Sequence, residues 1–360
     1  MKNHREVCDL FVFFGWESVG MSGVHKSVVD VYIESLQKKR LFFLILLTGT
    51  LLLAVMALCK GTYEISFREM VRIITGSVGG PESVVLWSVR LPRIVASLVV
   101  GAGLALSGAC IQTLLRNPLA SPSTLGISQG AAFGAYFSII VLKGSVLSVG
   151  FSAFLGALSS MAIILLLGRI RGLAPEAIIL SGVALSSLYG AGTVLLQYIT
   201  DETQLARAIA WSFGDVGRSG WNEISAVFFA TVFVFLLVYR HSWKLNAFEA
   251  GDDTASSLGI AVNSLRWQCI MAVSVVTALA TAFHGLIAFV GLIAPHIARR
   301  ICGSNHRHVI PASTMIGALL LLGADTFSRL IIGSGSFPVG ITTSFLGAPL
   351  FIYLLVRGKR

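Results

Sequence analysis

The chain has 360 residues, 55% of them hydrophobic and 12% charged, with a formal net charge of +10 and a mean hydropathy of +0.82. Soluble domains carry about 25% charged residues, so half that share spread over repeated apolar runs excludes an ordinary soluble enzyme and indicates a polytopic membrane protein. The basic excess is assigned to loops that set topology and meet anionic lipid, and no nucleic-acid partner is expected.

Residues 1–40 differ from the rest, mixing Lys, Arg, Glu and aromatics and ending in Lys38-Lys39-Arg40. The run Leu41–Cys59 is longer than the apolar region of a signal peptide and no small-x-small cleavage site follows it. It therefore reads as a first membrane span with the basic residues held inside, and 41–360 as the membrane domain. The tail reads either as a short amphipathic segment or as an extension ahead of a true start at Met21.

Further apolar blocks follow at Ile94–Leu115, Leu125–Leu142, Leu147–Leu167, Ala177–Ile199, Ile224–Tyr239, Gln268–Phe283, Leu286–Ile297, Val309–Leu330 and Val339–Val356. Each lies near the roughly 20 residues a bilayer requires, which predicts an all-α polytopic membrane protein of about ten transmembrane helices in a compact bundle. Between them, Phe67–Thr75 and Gln204–Phe213 read as short amphipathic helices in the outer loops 60–93 and 200–223.

The blocks on either side of His284-Gly285 could form one long helix or two. Charge decides between them. With ten spans and the N-terminus inside, Arg116, Arg169, Arg171, Arg240, Lys244, Arg266, Arg299, Arg300, Arg307, Arg357, Lys359 and Arg360 all fall on the cytoplasmic side. Merging the two blocks would send Arg299, Arg300 and Arg307 outside. Two helices and cytoplasmic termini are therefore expected, with Pro295 breaking or tilting the second of the pair. Small residues at four-residue spacing, Gly101, Ala105 and Ala109 and then Gly182, Ser186 and Gly190, predict close helix packing.

Charge inside the spans is scarce. Asp325 and Arg329 stand four apart on one helix face, an i,i+4 pair. A proton- or sodium-coupled carrier needs more buried carboxylates or polar helix breaks. The sequence has no G-x-x-x-x-G-K-[ST], no zinc-binding His/Glu helix and no nucleophile elbow, so no catalytic residue, metal site or cofactor is expected. His284 and His296 read as hydrogen-bonded structural histidines. Cys8, Cys59, Cys110, Cys269 and Cys302 lack metal spacing and read as apolar fillers.

One polar segment interrupts the pattern: 245–267, which carries Glu249, Asp252 and Asp253. Within it Gly251–Gly259 reads as a short helix, with Asp252 and Asp253 supplying negative charge at its start and Gly259 ending it. Such a helix would lie across the cytoplasmic face as a lever for a soluble ATP-hydrolysing partner. The bland alternative is a solvated linker. The rival functional readings are a secondary carrier or channel without an ATPase, and a membrane enzyme, which the lack of a convergent His/Asp/Glu set disfavours.

Six stretches together carry a resemblance: Val89-Arg90-Leu91-Pro92-Arg93; Leu106-Ser107-Gly108 with Gln112 and Arg116-Asn117-Pro118-Leu119-Ala120; Leu125-Gly126-Ile127-Ser128-Gln129-Gly130-Ala131; Gly251–Gly259; Phe289–Arg299; and Pro338-Val339-Gly340 with Gly347-Ala348-Pro349 and Phe351. From Leu41 onward the chain resembles the FecCD family, the permease subunits of iron–siderophore and cobalamin (type II) ABC importers. The resemblance implies a permease without catalytic activity of its own, in the plasma (inner) membrane of a prokaryote. It implies a second copy of the chain, two ABC ATPase subunits on the cytoplasmic side and an extracytoplasmic substrate-binding protein. Gly251, Asp252, Asp253, Ser257, Leu258 and Gly259 would then couple to the ATPase. Arg90, Arg93 and Arg329 would dock the binding protein, and Asn117, Pro118 and Leu119 would lie at the gate of the translocation path. Asp252 and Asp253 stand where the family carries glutamates, and the tail 1–40 is not a family feature. Ferric siderophore is the expected substrate class, with haem, cobalamin and oxyanions as alternatives.

Overall fold

The computed structural model describes residues 28–60, 66–75, 80–332 and 337–357. The readings placed on Met21 and Cys8 lie outside these residues. By contact the chain forms two units, Met1–Phe43 and Leu44–Arg360. The described part of the first is helical from Val28 onward, upstream of the apolar run, and carries an exposed Glu34–Lys38 pair at 2.9 Å.

Helix α1 (Val28–Cys59) is followed by α2 (Phe67–Ile74), α3 (Pro81–Leu114), α4 (Ile127–Ile140), α5 (Val146–Ile170), α6 (Pro175–Ile199), α7 (Glu202–Ser212) and α8 (Trp221–Arg240). Then come α9 (Ser242–Glu249), α10 (Asp252–Ser257), α11 (Val262–His284), α12 (Val290–Cys302), α13 (His306–Ile332) and α14 (Val339–Arg357). Every apolar block of the sequence thus contains a helix, although Leu286–Phe289 at the head of one block is irregular. Among the described residues seven helices are long and apolar enough to cross a bilayer, while Ile127–Ile140 and Val339–Leu354 are apolar but shorter.

Helix α3 is the axis of the larger unit. It begins on Pro81, whose missing N–H costs nothing at a helix start, and passes through a π-helical turn at Val85–Arg90. Further along, its neighbours press against its glycines, at Gly101 and Gly108 with their backbone. Gly101 faces the Gly317 carbonyl of α13, Gly103 faces Thr231 of α8 and Val276 of α11, and Gly108 faces the Gly291 carbonyl of α12. In lipid a leucine gains little by moving from acyl chains to protein, so close packing and hydrogen bonds must hold helices together. The Gly101–Ala105 stripe serves this purpose against Gly317. On α6, Gly182 and Ser186 receive the Leu125–Gly126 turn, where Gly126 takes φ 83°, whereas Gly190 faces open space.

The expected break between the two blocks is present at His284-Gly285, whereas the expected break at Pro295 is absent. Helix α11 stops at Gly285 (φ 76°), an irregular stretch follows, and α12 starts after Phe289, itself left-handed at φ 67°. Pro295 sits inside a continuous helix. Lacking an N–H, it leaves the carbonyl four residues earlier, that of Gly291, without its helical donor, and this is the carbonyl pressed against Gly108. With 13 residues, α12 is about 20 Å long, short of the roughly 30 Å hydrocarbon layer. The irregular stretch is tied down by a parallel bridge between Phe213 and Leu286, by Asp215 N–H donating to His284 O (2.8 Å), and by Gly340 N–H donating to Gly214 O (3.0 Å).

Both amphipathic helices form. A Ser66–Glu69 capping box starts α2, which buries Met70 and Ile73 against Leu86. Asp201 caps α7, whose last carbonyls accept from Arg218.

A methyl group at position 108 has no space, because the obstacle is backbone. Gly108→Ala should destabilise the detergent-solubilised protein by about 1–3 kcal/mol, whereas Gly190→Ala should leave the thermal midpoint unchanged. Equal midpoints for the two variants would refute this packing account.

Candidate functional site

Polar side chains gather at the two ends of α3. At the Leu114 end lies the platform foreseen in 245–267. Its opening residues form α9, which buries Leu245, Ala247 and Phe248. Gly251 (φ 115°) turns the chain into α10, and Gly259 (φ 78°) turns it out again; both conformations favour glycine. Helix α10 buries Ala255 and presents Asp253, Thr254, Ser257 and Leu258 outward, with Leu258 54% exposed. This is an ordered ledge, not a solvated linker.

Asp252 does more than place negative charge in the first turn of α10. Its two carboxylate oxygens accept from Arg266 Nη2 at 2.8 and 2.9 Å. Arg266 is wholly buried. Its Nε donates to the Leu114 carbonyl (3.1 Å), its Nη1 donates to the Leu173 carbonyl (3.0 Å), and its guanidinium lies 5.3 Å from the Phe248 ring centroid. All three guanidinium nitrogens are thus engaged, each on a different segment of chain. Sequence reading counted Arg266 only among the basic loop residues. The available signal was a cation set between Leu265 and Trp267 at the head of an apolar helix, where an unpaired charge would be costly.

A second network lies alongside. Arg299 Nη1 donates to Gln112 Oε1, Gln112 Nε2 donates to Leu292 O (3.2 Å), and Thr113 Oγ1 meets His306 Nε2 (2.6 Å). His306 Nδ1 faces Asn246 Oδ1 at 2.8 Å. Glu249 stands 3.8 Å from His306, and burial raises its carboxyl above the ordinary range against the pull of Arg299. Asn117, Pro118 and Leu119 form a turn beside the platform. Asn117 Oδ1 accepts from Leu119 N–H (2.9 Å), Leu119 is exposed, and the Arg116 side chain reaches to Gly251.

The opposite end of α3 holds the arginines of the LPR stretch. Arg93 Nε donates to Asp325 Oδ1 (2.8 Å), and Arg329 Nε donates to Asp325 Oδ2 (3.1 Å). Arg93 Nη2 also lies 3.4 Å from Asp215 Oδ1, near enough for charge pairing but without hydrogen-bond alignment. Arg90 donates to the Leu58 and Cys59 carbonyls. Arg90, Arg93 and Asp325 are buried. The i,i+4 pair read from sequence is therefore part of a larger cluster, and none of the three arginines is an exposed cation. Among the described residues Arg93 Nη2 and Arg329 Nη2 have no hydrogen-bond acceptor. His284 is buried, with Nε2 at 2.9 Å from Ser219 Oγ and Nδ1 at 3.1 Å from Ala280 O.

The model of the FecCD transport family matches residues 47–357. A Methanocaldococcus jannaschii protein named as an ABC transporter permease is 47% identical over 335 residues, covering 89% of this chain and 95% of that protein. The iron(3+)-hydroxamate import system permease FhuG of Bacillus subtilis is 35% identical over 328 residues, covering 88% and 98%. A solved structure described as an inward-facing conformation of a metal-chelate type ABC transporter superposes with a TM-score of 0.79 at 32% identity, covering 87% of this chain and 97% of that one.

Removing one partner of a buried charge pair leaves the other charge uncompensated. Asp325→Asn should cost about 3–5 kcal/mol, because two guanidiniums lose their shared carboxylate. Asp215→Asn, with a partly exposed and misaligned carboxylate, should cost under about 1 kcal/mol. Thermal unfolding of the two purified variants gives the comparison, and a larger loss for Asp215→Asn would contradict the cluster as described.

Proposed function

Because the chain belongs to the FecCD transport family, we propose that it is the permease subunit of an ATP-driven importer for a ferric siderophore or a related metal chelate such as haem or cobalamin, and that two copies form the translocation path. The observation that carries the coupling part of this reading is the ledge at α10. Two left-handed glycines bracket a short helix whose Asp253, Thr254, Ser257 and Leu258 face outward while Ala255 and Asp252 anchor it. A membrane protein has little use for such a ledge unless a soluble partner docks on it. In this reading an ABC ATPase subunit on the cytoplasmic side engages Gly251–Gly259. The positive-inside tendency supports that side, since Arg116, Arg240, Lys244, Arg299, Arg300 and Arg307 stand in or next to the helix ends and short α9 at this end of the bundle. Both termini are then cytoplasmic and the membrane is the plasma membrane of a prokaryote.

Asn117, half-buried beside the ledge, and the exposed Pro118 and Leu119 belong to the cytoplasmic gate. At the opposite, extracytoplasmic end a substrate-binding protein docks on the region of Arg90, Arg93 and Arg329. Two spare guanidinium donors there support an acidic partner. Its carboxylates have to compete with Asp325 and Asp215, so docking exchanges one carboxylate for another. The chelate substrate is favoured by the likeness to a ferric hydroxamate permease. The scarcity of charge along the spans also favours it, since it suits a bulky complex better than a small ion.

The test is purification of the full chain from gently solubilised membranes, alongside a variant with Gly251–Gly259 replaced by a flexible Gly/Ser linker. A stoichiometric ATPase subunit should accompany the native chain, and at least about 90% of it should be lost from the variant. A native chain that comes without an ATPase yet moves solute in vesicles would overturn this reading in favour of a secondary carrier.

A further inference from the structure

Arg266 joins three segments that sequence places far apart. Its carboxylate partner Asp252 opens α10, and its Leu114 partner is the last residue of α3, three residues before Asn117. Its Leu173 partner lies in the turn from α5 to α6, two residues before Pro175 starts α6. The Leu114 carbonyl lies at the C-terminal end of α3, where such groups lack intrahelical donors and a cation is favoured, whereas that of Leu173 belongs to the turn between two helices. Leu173 is held in a left-handed conformation at φ 56° immediately after Gly172 at 64°, a strained turn whose carbonyl the guanidinium fixes.

Helix α10 has few other holds. Ala255 is its buried side chain, Ile260 follows it into the core, and the remaining side chains face outward. The contact between Arg116 and Gly251 is a graze, and the Gln112–Thr113–His306–Asn246 network reaches α9 but not α10. Beside the apolar contacts of Ala255 and Ile260, Asp252 and the guanidinium give a load on the outer face of α10 a directional polar route into the bundle. A planar fork with fixed N–H directions transmits such a load to two carbonyls at once. An ammonium on a flexible stem does not. Phe248 beneath the guanidinium keeps it from swinging away.

We propose that Arg266 is the positioning residue that carries a displacement of α10 to the Asn117–Leu119 turn and to the start of α6, so that one buried cation moves both together. The proposal rests on the permease reading, in which an ATPase pushes on α10.

The experiment uses the full chain in complex with the ATPase that co-purifies with it, carrying an environment-sensitive fluorophore on Leu119→Cys. Addition of ATP with vanadate should change the fluorescence in the native background. Arg266→Lys keeps a cation for Asp252 but loses the fork. It should retain the bound ATPase and hydrolyse ATP within about twofold of native, while the nucleotide-driven signal falls about tenfold. A purely structural role would instead lower the melting temperature, ATPase retention and hydrolysis in parallel. That pattern, or a full signal from Arg266→Lys, would overturn the proposal. Arg266→Gln, which can reach at most one of the carbonyls, should lose the signal as well, and a native-sized signal from it would also sink the idea. Failure of the native chain to bring any ATPase would count against the permease reading itself and would remove this inference with it.

Discussion

Helices in lipid gain little from hiding apolar side chains, so the arrangement depends on how closely backbones can approach. The contact that decides this is Gly108 against the Gly291 carbonyl. It requires an absent side chain on α3 and an absent amide hydrogen at Pro295, which leaves that carbonyl outside the helical ladder. With these two strands of main chain in touch, Gln112 one turn further on reaches Leu292 O and Arg299. The packing of a glycine thus determines where a polar network can form.

Ionisable groups follow the same economy. The middle of α3 is apolar, and the charged clusters lie where backbone carbonyls or carboxylates are at hand: Arg266 on the carbonyls of Leu114 and Leu173, and Arg93 and Arg329 on Asp325. The two clusters are separated by about 30–35 Å, at roughly 1.5 Å per residue along α3, and in both the central charged groups are buried and paired.

Much of this was legible in advance. Apolar runs gave the helices, because a bilayer imposes length on them, and the paired glycines at 251 and 259 gave the ledge. The charge asymmetry around Arg299, Arg300 and Arg307 separated α11 from α12. The break itself falls at His284-Gly285 as read; what was misread is Pro295, which has the composition of a helix breaker yet sits inside α12, whereas the left-handed Phe289 that precedes this helix has no composition signal. The partnership of Arg93 with Asp325 spans 232 residues, and that of Arg266 with Leu114 spans 152. No local pattern encodes either. The burial of Arg90 and Arg93 escaped for the same reason, since a motif states which residues are present but not which carboxylate a distant helix brings to them.

The small knot at the Arg93 end has a consequence for how the chain is made. Phe213 pairs with Leu286, and Gly214 accepts from Gly340. Those three stretches emerge at well-separated times during synthesis, and the last of them opens the final helix. Until α14 has entered the membrane, the Gly214 carbonyl has no amide to receive, and the turn between α11 and α12 lacks its third strap. Helix α14 thus acts as a clasp on that rim of the bundle. A chain truncated before residue 338 would retain nearly all of its apolar mass and still lack the piece that closes it.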